Sequence, residues 1–242
     1  MENKYKSVFL SDIHLGIKHS QVGKLNKFLK ENEFENLFLL GDIIDMTNLK
    51  SKIYWNYEST KFIRRILKES KNKNVFYLIG NHDYFLEMFL GESLANINFS
   101  KELKYTTLKG EKVLLLHGDK FDGIITNMRW LYWLGDRAYS IALFLNFWLN
   151  NFRNVFGKSY WSLSKFLKNK VKGAIQFVNN FEHLIVEEAK SNDVNIVIAG
   201  HIHVAEDKII DGIRYMNCGD WVEQSTCIVE DLNGNLILLN ID

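Results

Sequence analysis

Five short apolar runs recur along the chain of 242 residues, and a cluster of aspartate, asparagine or histidine follows each of them. The runs are Ser7–Leu10, Leu37–Leu40, Val75–Ile79, Val113–Leu116 and Asn195–Ala199. Short runs that are rich in Val, Ile, Leu and Phe are typical of strands buried on both faces of a sheet. We therefore predict five core strands, each with polar side chains at its carboxyl end.

Helical patterns lie between the first three of these strands. Val22–Lys30 and Tyr57–Glu69 each place apolar side chains on one face at helical spacing. After the fifth run the pattern changes to strands without helices, at Ala205–Ile210, Arg214–Asn217, Thr226–Glu230 and Leu236–Asn240. Asp211-Gly212 and Asn233-Gly234, which join them, are strong hairpin signals. This order predicts an α/β fold, a helix-flanked sheet that finishes in hairpins and is typical of a two-sheet sandwich.

The stretch Phe121–Lys172 departs from this plan because it is helical in pattern and strongly aromatic. It holds four of the six tryptophans, and its eight Lys and Arg residues against two Asp residues give a net charge of +6. Since the whole chain carries +1, the other residues sum to −5. We predict a helical insertion whose rings either pack inward or line an apolar chamber. Its basic side chains would then face an anionic surface or ligand.

The five polar clusters contain the residue types that bind divalent metal ions. They are Asp12-x-His14, Gly41-Asp42-x-x-Asp45, Gly80-Asn81-His82-Asp83, His117-Gly118-Asp119 and Gly200-His201-x-His203. One such pair alone is more often an exposed turn or a buried histidine, but five in order favour a common site at the carboxyl ends of the strands. Carboxylate, imidazole and amide ligands without thiolate suit Mn, Fe or Zn. Their number exceeds the needs of one tetrahedral ion, so we expect two ions, which activate a shared water and hold a phosphoryl group.

The ordered clusters, over residues 12 to 203, resemble the signature of calcineurin-like metallophosphoesterases. Within that superfamily the chain is most similar to the bacterial UDP-2,3-diacylglucosamine diphosphatases of lipid A biosynthesis. The segments that carry this closer resemblance are Leu134-Gly135-Asp136, Tyr160–Ser164 and Asn217–Glu223. The resemblance implies a calcineurin-like four-layer α/β/β/α sandwich over residues 1–242, with a helical cap inserted over residues 121–190.

The resemblance also implies a role for each cluster. The ligands of the first metal would be Asp12, His14 and His203, and those of the second Asp42, as the bridge, with Asn81, His117 and His201. His82 matches a histidine that contacts the phosphate and protonates the leaving oxygen, and Asp45 matches its acidic partner. Asp83 and Asp119 stay open between support of the ligands and simple turn residues. The substrate-binding candidates are Arg129, Lys165, Lys168 and Trp221, although Trp221 fits core packing equally well.

The resemblance implies hydrolysis of UDP-2,3-diacylglucosamine to UMP and a lipid monophosphate, with two divalent ions, Mn²⁺ first and Fe or Zn as alternatives. One position departs from it, because the best-studied lipid A diphosphatases have Arg where this chain has His82. A related pyrophosphate or phosphomonoester therefore also fits. The main rival is a phosphodiesterase or phosphatase that acts on soluble nucleotides or nucleic acid. A rival of another class is a membrane-surface scaffold with an inactive site, but its expected sign, a missing ligand, is not found.

We expect a cytoplasmic protein that is peripheral on the inner face of the cytoplasmic membrane. Its longest apolar region, Ile141–Leu149, is far shorter than the roughly 20 residues of a membrane span, and no signal peptide is recognised. Cys218 and Cys227 are predicted to be free thiols. The basic aromatic insertion would contact the membrane and a nucleotide-linked glycolipid. No nucleic acid partner is expected, because the positive charge does not extend beyond the insertion.

Overall fold

The computed structural model describes residues 3–46, 54–122 and 163–241, with the backbone alone for residues 163–176. The chain divides into two compact units, residues 1–120 with 185–242, and residues 121–184. Most of the predicted cap over 121–190, including its aromatic segment, lies outside the described residues. In the second unit, Phe121 packs edge-on against Phe181, with ring centroids 6.4 Å apart. Among the helices in the described part of the chain, none has an apolar stretch that could cross a bilayer.

The helices and strands follow the order that the sequence predicts, with additions. They are β1 (Asn3–Leu10), α1 (Val22–Glu31), β2 (Asn32–Leu40), α2 (Tyr57–Glu69), β3 (Asn74–Leu78), β4 (Ser93–Leu94), β5 (Ile97–Ser100), β6 (Glu102–Thr106), β7 (Lys112–Leu116), α3 (Leu163–Ser191), β8 (Ile196–Ala199), β9 (Glu206–Ile210), β10 (Ile213–Asn217), β11 (Thr226–Asp231) and β12 (Leu236–Asn240). Short 3₁₀ helices occupy Tyr84–Phe89 and Asp119–Phe121. The five core strands and the two N-terminal helices are confirmed.

The described strands form two mixed sheets. The larger has seven strands in the order β12-β11-β1-β2-β3-β5-β4, and the smaller has five in the order β6-β7-β8-β10-β9. β1, β2, β3 and β5 run parallel to one another, as do β7, β8 and β10. Each sheet therefore presents the carboxyl ends of several neighbouring strands at one edge, where ligand sites form in open α/β sheets.

The core strands are apolar on both faces because successive side chains point to opposite faces of the sheet and both faces are covered. Phe9 and Phe38 stack at 4.8 Å within a core that also holds Leu115 and Ile198 of the smaller sheet. The side chains before and after Phe9 point to the opposite face and pack with residues of α1 and α2. The outer face of the smaller sheet is also buried, as are the side chains of α3 around Ile185. These layers confirm the predicted α/β sandwich.

The two predicted hairpins are confirmed, whereas three strands were missed. Asp211 and Gly212 both have positive φ, 50° and 82°, as a tight hairpin turn requires. The missed strands, β4, β5 and β6, lie at or near the edges of the sheets and have at most two buried side chains each. Edge strands with one solvated face do not need an apolar run, so the signal that identified the core strands is absent from them.

Candidate metal centre and active site

The five predicted clusters lie at the carboxyl ends of parallel strands from both sheets. The first three follow β1, β2 and β3 of the larger sheet, and the other two follow β7 and β8 of the smaller one. Their side chains form three groups in which each residue offers one potential ligand atom. Within a group, all of these atoms lie within 4.8 Å of one another. The two sheets therefore bring residues as far apart in the chain as Asp12 and His203 into one polar centre.

The predicted ligands of the first metal form one of these groups. His203 Nε2 lies 3.1 Å from Asp12 Oδ1, and His14 Nε2 lies 3.8 Å from the same oxygen. The Nε2 atoms of His14 and His203 are 3.2 Å apart. Asp12 is fully buried and its other oxygen, Oδ2, accepts the backbone N–H of His201 at 2.9 Å. Three ligand atoms from the ends of two strands, β1 and β8, thus lie close to one another.

The second group contains Asp42, His117 and His201. His117 Nε2 lies 3.3 Å from Asp42 Oδ2, and His117 Nδ1 donates to the Leu40 carbonyl at 2.8 Å. Because a carbonyl only accepts, this contact places a proton on Nδ1 and directs Nε2 towards the carboxylate. Asn81 Oδ1 is buried and has no hydrogen-bond partner in the part of the chain that the structure describes. An amide oxygen in that state fits a metal ligand.

Asp42 has the position of a bridge between the two groups. Its Oδ2 is 3.3 Å from His117 Nε2 of the second group and 4.0 Å from His14 Nε2 of the first. Its Oδ1 is turned away and accepts the backbone N–H of His82 at 2.8 Å. One carboxylate oxygen therefore faces both groups, while the other is held by the protein.

The electrostatics of the centre fit divalent cations. Burial lowers the pKa of His14 and of His117, but the neighbouring carboxylates outweigh it and raise each pKa to about 10. Burial opposes ionisation of Asp12 as well, yet the charge of His203 and hydrogen bonds from the imidazoles hold the pKa of Asp12 well below its usual value. Protonated imidazoles thus supply the positive charge that these carboxylates require. Metal ions would supply the same charge to the same donor set.

If metal ions replace the positive charge of the protonated imidazoles, metal binding should release protons. Because the metal-free histidines keep their protons to about pH 10, the apparent affinity for Mn²⁺ should rise as the pH rises from about 6 to about 9. Titration calorimetry in two buffers of different ionisation enthalpy measures the protons released. The same imidazolium charges should stabilise the metal-free fold below pH 6.5 and lose that contribution as the pH approaches 10. Uptake without proton release would contradict the prediction.

Left-handed backbone conformations are concentrated in the ligand loops. The residues concerned are Asp12 (φ 52°), His14 (49°), Asp42 (54°), His201 (75°) and His203 (56°). Non-glycine residues adopt this region at a cost of about 1 kcal/mol or more each, and such strain is typical of functional sites. The sheets therefore hold the ligands in conformations that they would not adopt alone.

Gly80 lies against Asp42 and leaves no room for a side chain. A Cβ at position 80 would be 2.3 Å from Asp42 Oδ1 and 2.6 Å from the Asp42 backbone nitrogen. Gly80→Ala should therefore displace Asp42 and weaken binding of the second metal by about 10- to 100-fold, the range for loss of a supporting contact. Metal titration measures this effect. Gly23→Ala in α1, where the nearest atom would be 3.8 Å away, is the control, and equal metal binding in the two variants would refute the argument.

Asp45 contacts two histidines rather than one. Its Oδ1 lies 3.2 Å from His82 Nδ1, as its predicted role requires, and its Oδ2 lies 3.5 Å from His14 Nδ1. The His82 side chain is 26% exposed and its Nε2 lies 3.8 Å from Asp42 Oδ2. His82 thus reaches solvent beside the bridging carboxylate, where a proton donor to a leaving group would be needed. The second contact of Asp45 was missed because it depends on the spacing of two separate loops.

The turn after β10 contains a supporting carboxylate and a core residue. Asp220 Oδ2 lies 3.8 Å from His203 Nδ1, and its Oδ1 accepts the backbone N–H groups of Val222 and Glu223 at 2.6 and 2.5 Å. The substrate-binding assignment of Trp221 is corrected: its side chain is fully buried beside Phe28, with ring centroids 6.5 Å apart. It packs between the sheet and α1, so its ring has no surface to offer a substrate.

The other residues singled out in the sequence are Asp119, three basic side chains and the two cysteines. Asp119 is partly buried at the start of a 3₁₀ turn. The substrate-binding candidates Arg129, Lys165 and Lys168 lie outside the residues whose side chains the structure describes. Cys218 and Cys227 are free and buried, as predicted.

The chain is similar to several known proteins in sequence or in fold. Two UDP-2,3-diacylglucosamine hydrolases are similar in sequence. The protein from Psychromonas ingrahamii is 28% identical over 119 residues, 47% of each chain, and that from Vibrio vulnificus is 23% identical over 262 aligned positions, 94% of this chain and 95% of the relative. The structure of Yfce, a phosphoesterase from E. coli, matches 98% of this chain and 99% of its own with 13% identity and a TM-score of 0.47.

The family match coincides with the centre itself. The model of the calcineurin-like phosphoesterase family matches residues 5–205, a range that contains all five clusters. The same clusters form the group of Asp12, His14 and His203 and the group of Asp42, His117 and His201, and Asp42 Oδ2 lies 4.0 Å from His14 Nε2 of the first group. Sequence pattern, geometry and family match therefore lead to one conclusion: the chain belongs to the calcineurin-like phosphoesterase family.

Proposed function

We propose that this phosphoesterase hydrolyses the diphosphate of UDP-2,3-diacylglucosamine to UMP and a lipid monophosphate, a step of lipid A biosynthesis. The observation that carries the proposal is the pair of ligand groups joined at Asp42, with His82 and Asp45 beside them. Such a centre suits attack on a phosphorus atom. The identity of the substrate is supported by the hydrolase from Vibrio vulnificus, which is similar along 94% of this chain.

The ligand groups would hold two divalent ions, Mn²⁺ by preference, with Fe or Zn as alternatives. When bound, such ions supply a nucleophile at neutral pH and neutralise charge on the phosphoryl oxygens. Asp12, His14 and His203 would hold the first ion. Asp42 and its three partners in the second group, Asn81, His117 and His201, would hold the other.

His82 and Asp45 have the geometry of a proton donor and its support. Asp45 Oδ1 lies 3.2 Å from His82 Nδ1, so the carboxylate can hold the ring with Nε2 facing the bridging carboxylate. We expect Nε2 to give its proton to the leaving phosphate oxygen. Since the side chain is partly exposed, it can regain a proton from solvent after each turnover. Proton transfer of this kind typically contributes about 10²- to 10⁴-fold to a rate.

The basic aromatic segment of the second unit has a part in the proposal. Arg129, Lys165 and Lys168 would bind the substrate diphosphate or anionic headgroups at the inner face of the cytoplasmic membrane. The net charge of +6 over Phe121–Lys172 supports this role, because each basic side chain near an anionic surface contributes about 1 kcal/mol to binding.

A second candidate function is hydrolysis of a soluble nucleotide phosphodiester or phosphomonoester. The observation that favours it is His82 itself, since a histidine rather than an arginine stands beside the bridging carboxylate. A proton donor suits substrates with basic leaving groups, which do not depart without protonation.

The decisive experiment compares UDP-2,3-diacylglucosamine, UDP-glucosamine and single-stranded DNA in one assay with Mn²⁺. The proposed function predicts fast release of UMP from the acylated substrate and slow release from UDP-glucosamine. Equal rates on the two UDP sugars would support the second candidate. Turnover of the DNA alone would overturn the proposed function and favour a phosphodiesterase of nucleic acid. No turnover of any phosphoester would favour a binding scaffold.

A further inference from the structure

Asp83 is a buried carboxylate that no step of the proposed reaction uses. It directly follows His82, is fully buried, and lies in none of the three groups of potential metal ligands. A buried carboxylate is costly unless its oxygens are hydrogen-bonded, so its partners indicate what it does.

The oxygens of Asp83 accept hydrogen bonds from β3 and from the two ligand loops that follow β2 and β3. Oδ2 accepts the backbone N–H of Ile43 at 2.9 Å and the hydroxyl of Tyr77 at 2.7 Å, and Oδ1 accepts the backbone N–H of Gly80 at 2.6 Å. Ile43 is next to the bridging residue Asp42, and Gly80 is next to Asn81. The carboxylate therefore joins the backbones on which two proposed ligands of the second metal are carried.

A second hydrogen bond links the same loops in the opposite direction. Asp42 Oδ1 accepts the backbone N–H of His82 at 2.8 Å, while Asp83 Oδ2 accepts that of Ile43. Each loop thus supplies a carboxylate to an amide of the other, and we call this reciprocal pair the carboxylate–amide clamp. Asp83 is the half of the clamp that does not face the metal ligands of either group.

The geometry points to Asp83 as a positioning residue that sets the second metal site and the place of His82 through the carboxylate–amide clamp. The clamp holds Asp42 so that Oδ1 is occupied and only Oδ2 faces the two ligand groups. It also holds the His82 backbone, and with it the imidazole beside Asp45. This inference rests on the proposed two-metal site but not on the identity of the substrate.

Asp83→Asn tests the inference with little change of volume. An asparagine has one oxygen and one NH₂ group, so a donor must face either the Gly80 or the Ile43 amide, and one loop loses its acceptor. We expect calorimetric titration with Mn²⁺ to show the second binding event weakened by about 10- to 100-fold, as for other contacts that support ligands. The first event, at Asp12, His14 and His203, should stay within about threefold of the unmodified protein, well inside that range.

Tyr77→Phe is the matched control. It removes one hydrogen bond from the same carboxylate but leaves both loop amides with their acceptor. A purely structural role predicts that the two variants lose thermal stability and that both bind two Mn²⁺ ions normally. The inference would be overturned if Asp83→Asn bound both Mn²⁺ ions with normal affinity. It would also be overturned if Tyr77→Phe weakened the second binding event as much as Asp83→Asn does.

A measurement on the unmodified protein covers the case in which Asp83→Asn does not fold. Hydrogen exchange of the Ile43 and Gly80 backbone amides should be slow in the metal-free protein. On addition of Zn²⁺, exchange of both amides should become slower still, and by similar factors. Exchange of either amide at the rate of an exposed loop would overturn the inference. These outcomes are distinguishable from failure of the proposed function. If Asp83→Asn loses the second metal but the unmodified protein does not hydrolyse the UDP glycolipid, only the proposed function is refuted. If the unmodified protein hydrolyses the glycolipid but Asp83→Asn binds both metals normally, only the inference is refuted.

Discussion

Asp42→Asn is expected to abolish hydrolysis. The substitution keeps an acceptor for the His82 amide, but it removes the negative charge from the oxygen that lies 3.3 Å from His117 Nε2 and 4.0 Å from His14 Nε2. A neutral amide cannot serve both ligand groups as a charged bridge. We expect kcat to fall by at least about 10³-fold, which corresponds to about 4 kcal/mol in activation free energy.

The measurement combines kcat on a chromogenic phosphodiester with the metal content of the purified protein. We expect the variant to lose at least one of the two proposed ions per chain. Asp42 is a proposed ligand of the second ion, and its Oδ2 also faces the ligands of the first ion. Asp207→Asn is the control, since Asp207 forms a surface ion pair with Arg214 at 2.8 Å and such pairs contribute about 1 kcal/mol or less. Full activity and full metal content in Asp42→Asn would refute the two-metal mechanism.

His82→Gln is expected to lower kcat by about 10²- to 10⁴-fold, the usual contribution of a general acid. Metal binding should be unchanged, because the contact between His82 and Asp42 Oδ1 runs through the backbone N–H, which glutamine retains. The variant therefore separates proton donation from metal ligation. A loss of metal together with activity would contradict that separation.

The leaving group provides the sharper measurement. A nitrophenolate departs without a proton, so the variant should lose less activity on bis(p-nitrophenyl) phosphate than on a phosphodiester with an alkyl leaving group. His19→Gln, at an exposed histidine, is the matched control and should be unchanged on both. Equal losses for His82→Gln on the two substrates would show that His82 acts by binding the phosphate rather than by donating a proton.

The core strands were predictable because burial on both faces leaves a continuous apolar run in the chain. Leu37–Leu40 shows the principle, since its side chains alternate between the helix side of the larger sheet and the core between the sheets. β6 shows the limit, because its residues alternate between partly buried and exposed at a sheet edge. An edge strand forms because of its contacts with neighbouring strands, and these contacts leave no continuous apolar run in its sequence.

The convergence of the candidate ligands was predictable from their placement, but their supporting contacts were not. Asp12 and His14 follow a recognisable strand at a spacing that directs both side chains to one side. Asp45 has a partner 31 residues away and Asp83 one 40 residues away, in loops whose separation depends on strand order and register. Trp221 shows the converse, because a ring next to a site in the sequence can still point into the core.

By itself, the sequence determined the family, the α/β sandwich and a set of candidate metal ligands, because each is recorded in short segments by apolar periodicity and residue type. Only the tertiary structure decided how the segments act on one another. It placed Asp42 Oδ2 between two ligand groups, gave Asp45 a second histidine, closed the clamp at Asp83 and buried Trp221. These features depend on distances of about 3 to 4 Å between atoms on different strands, and such distances exist only once the sheets have paired and packed.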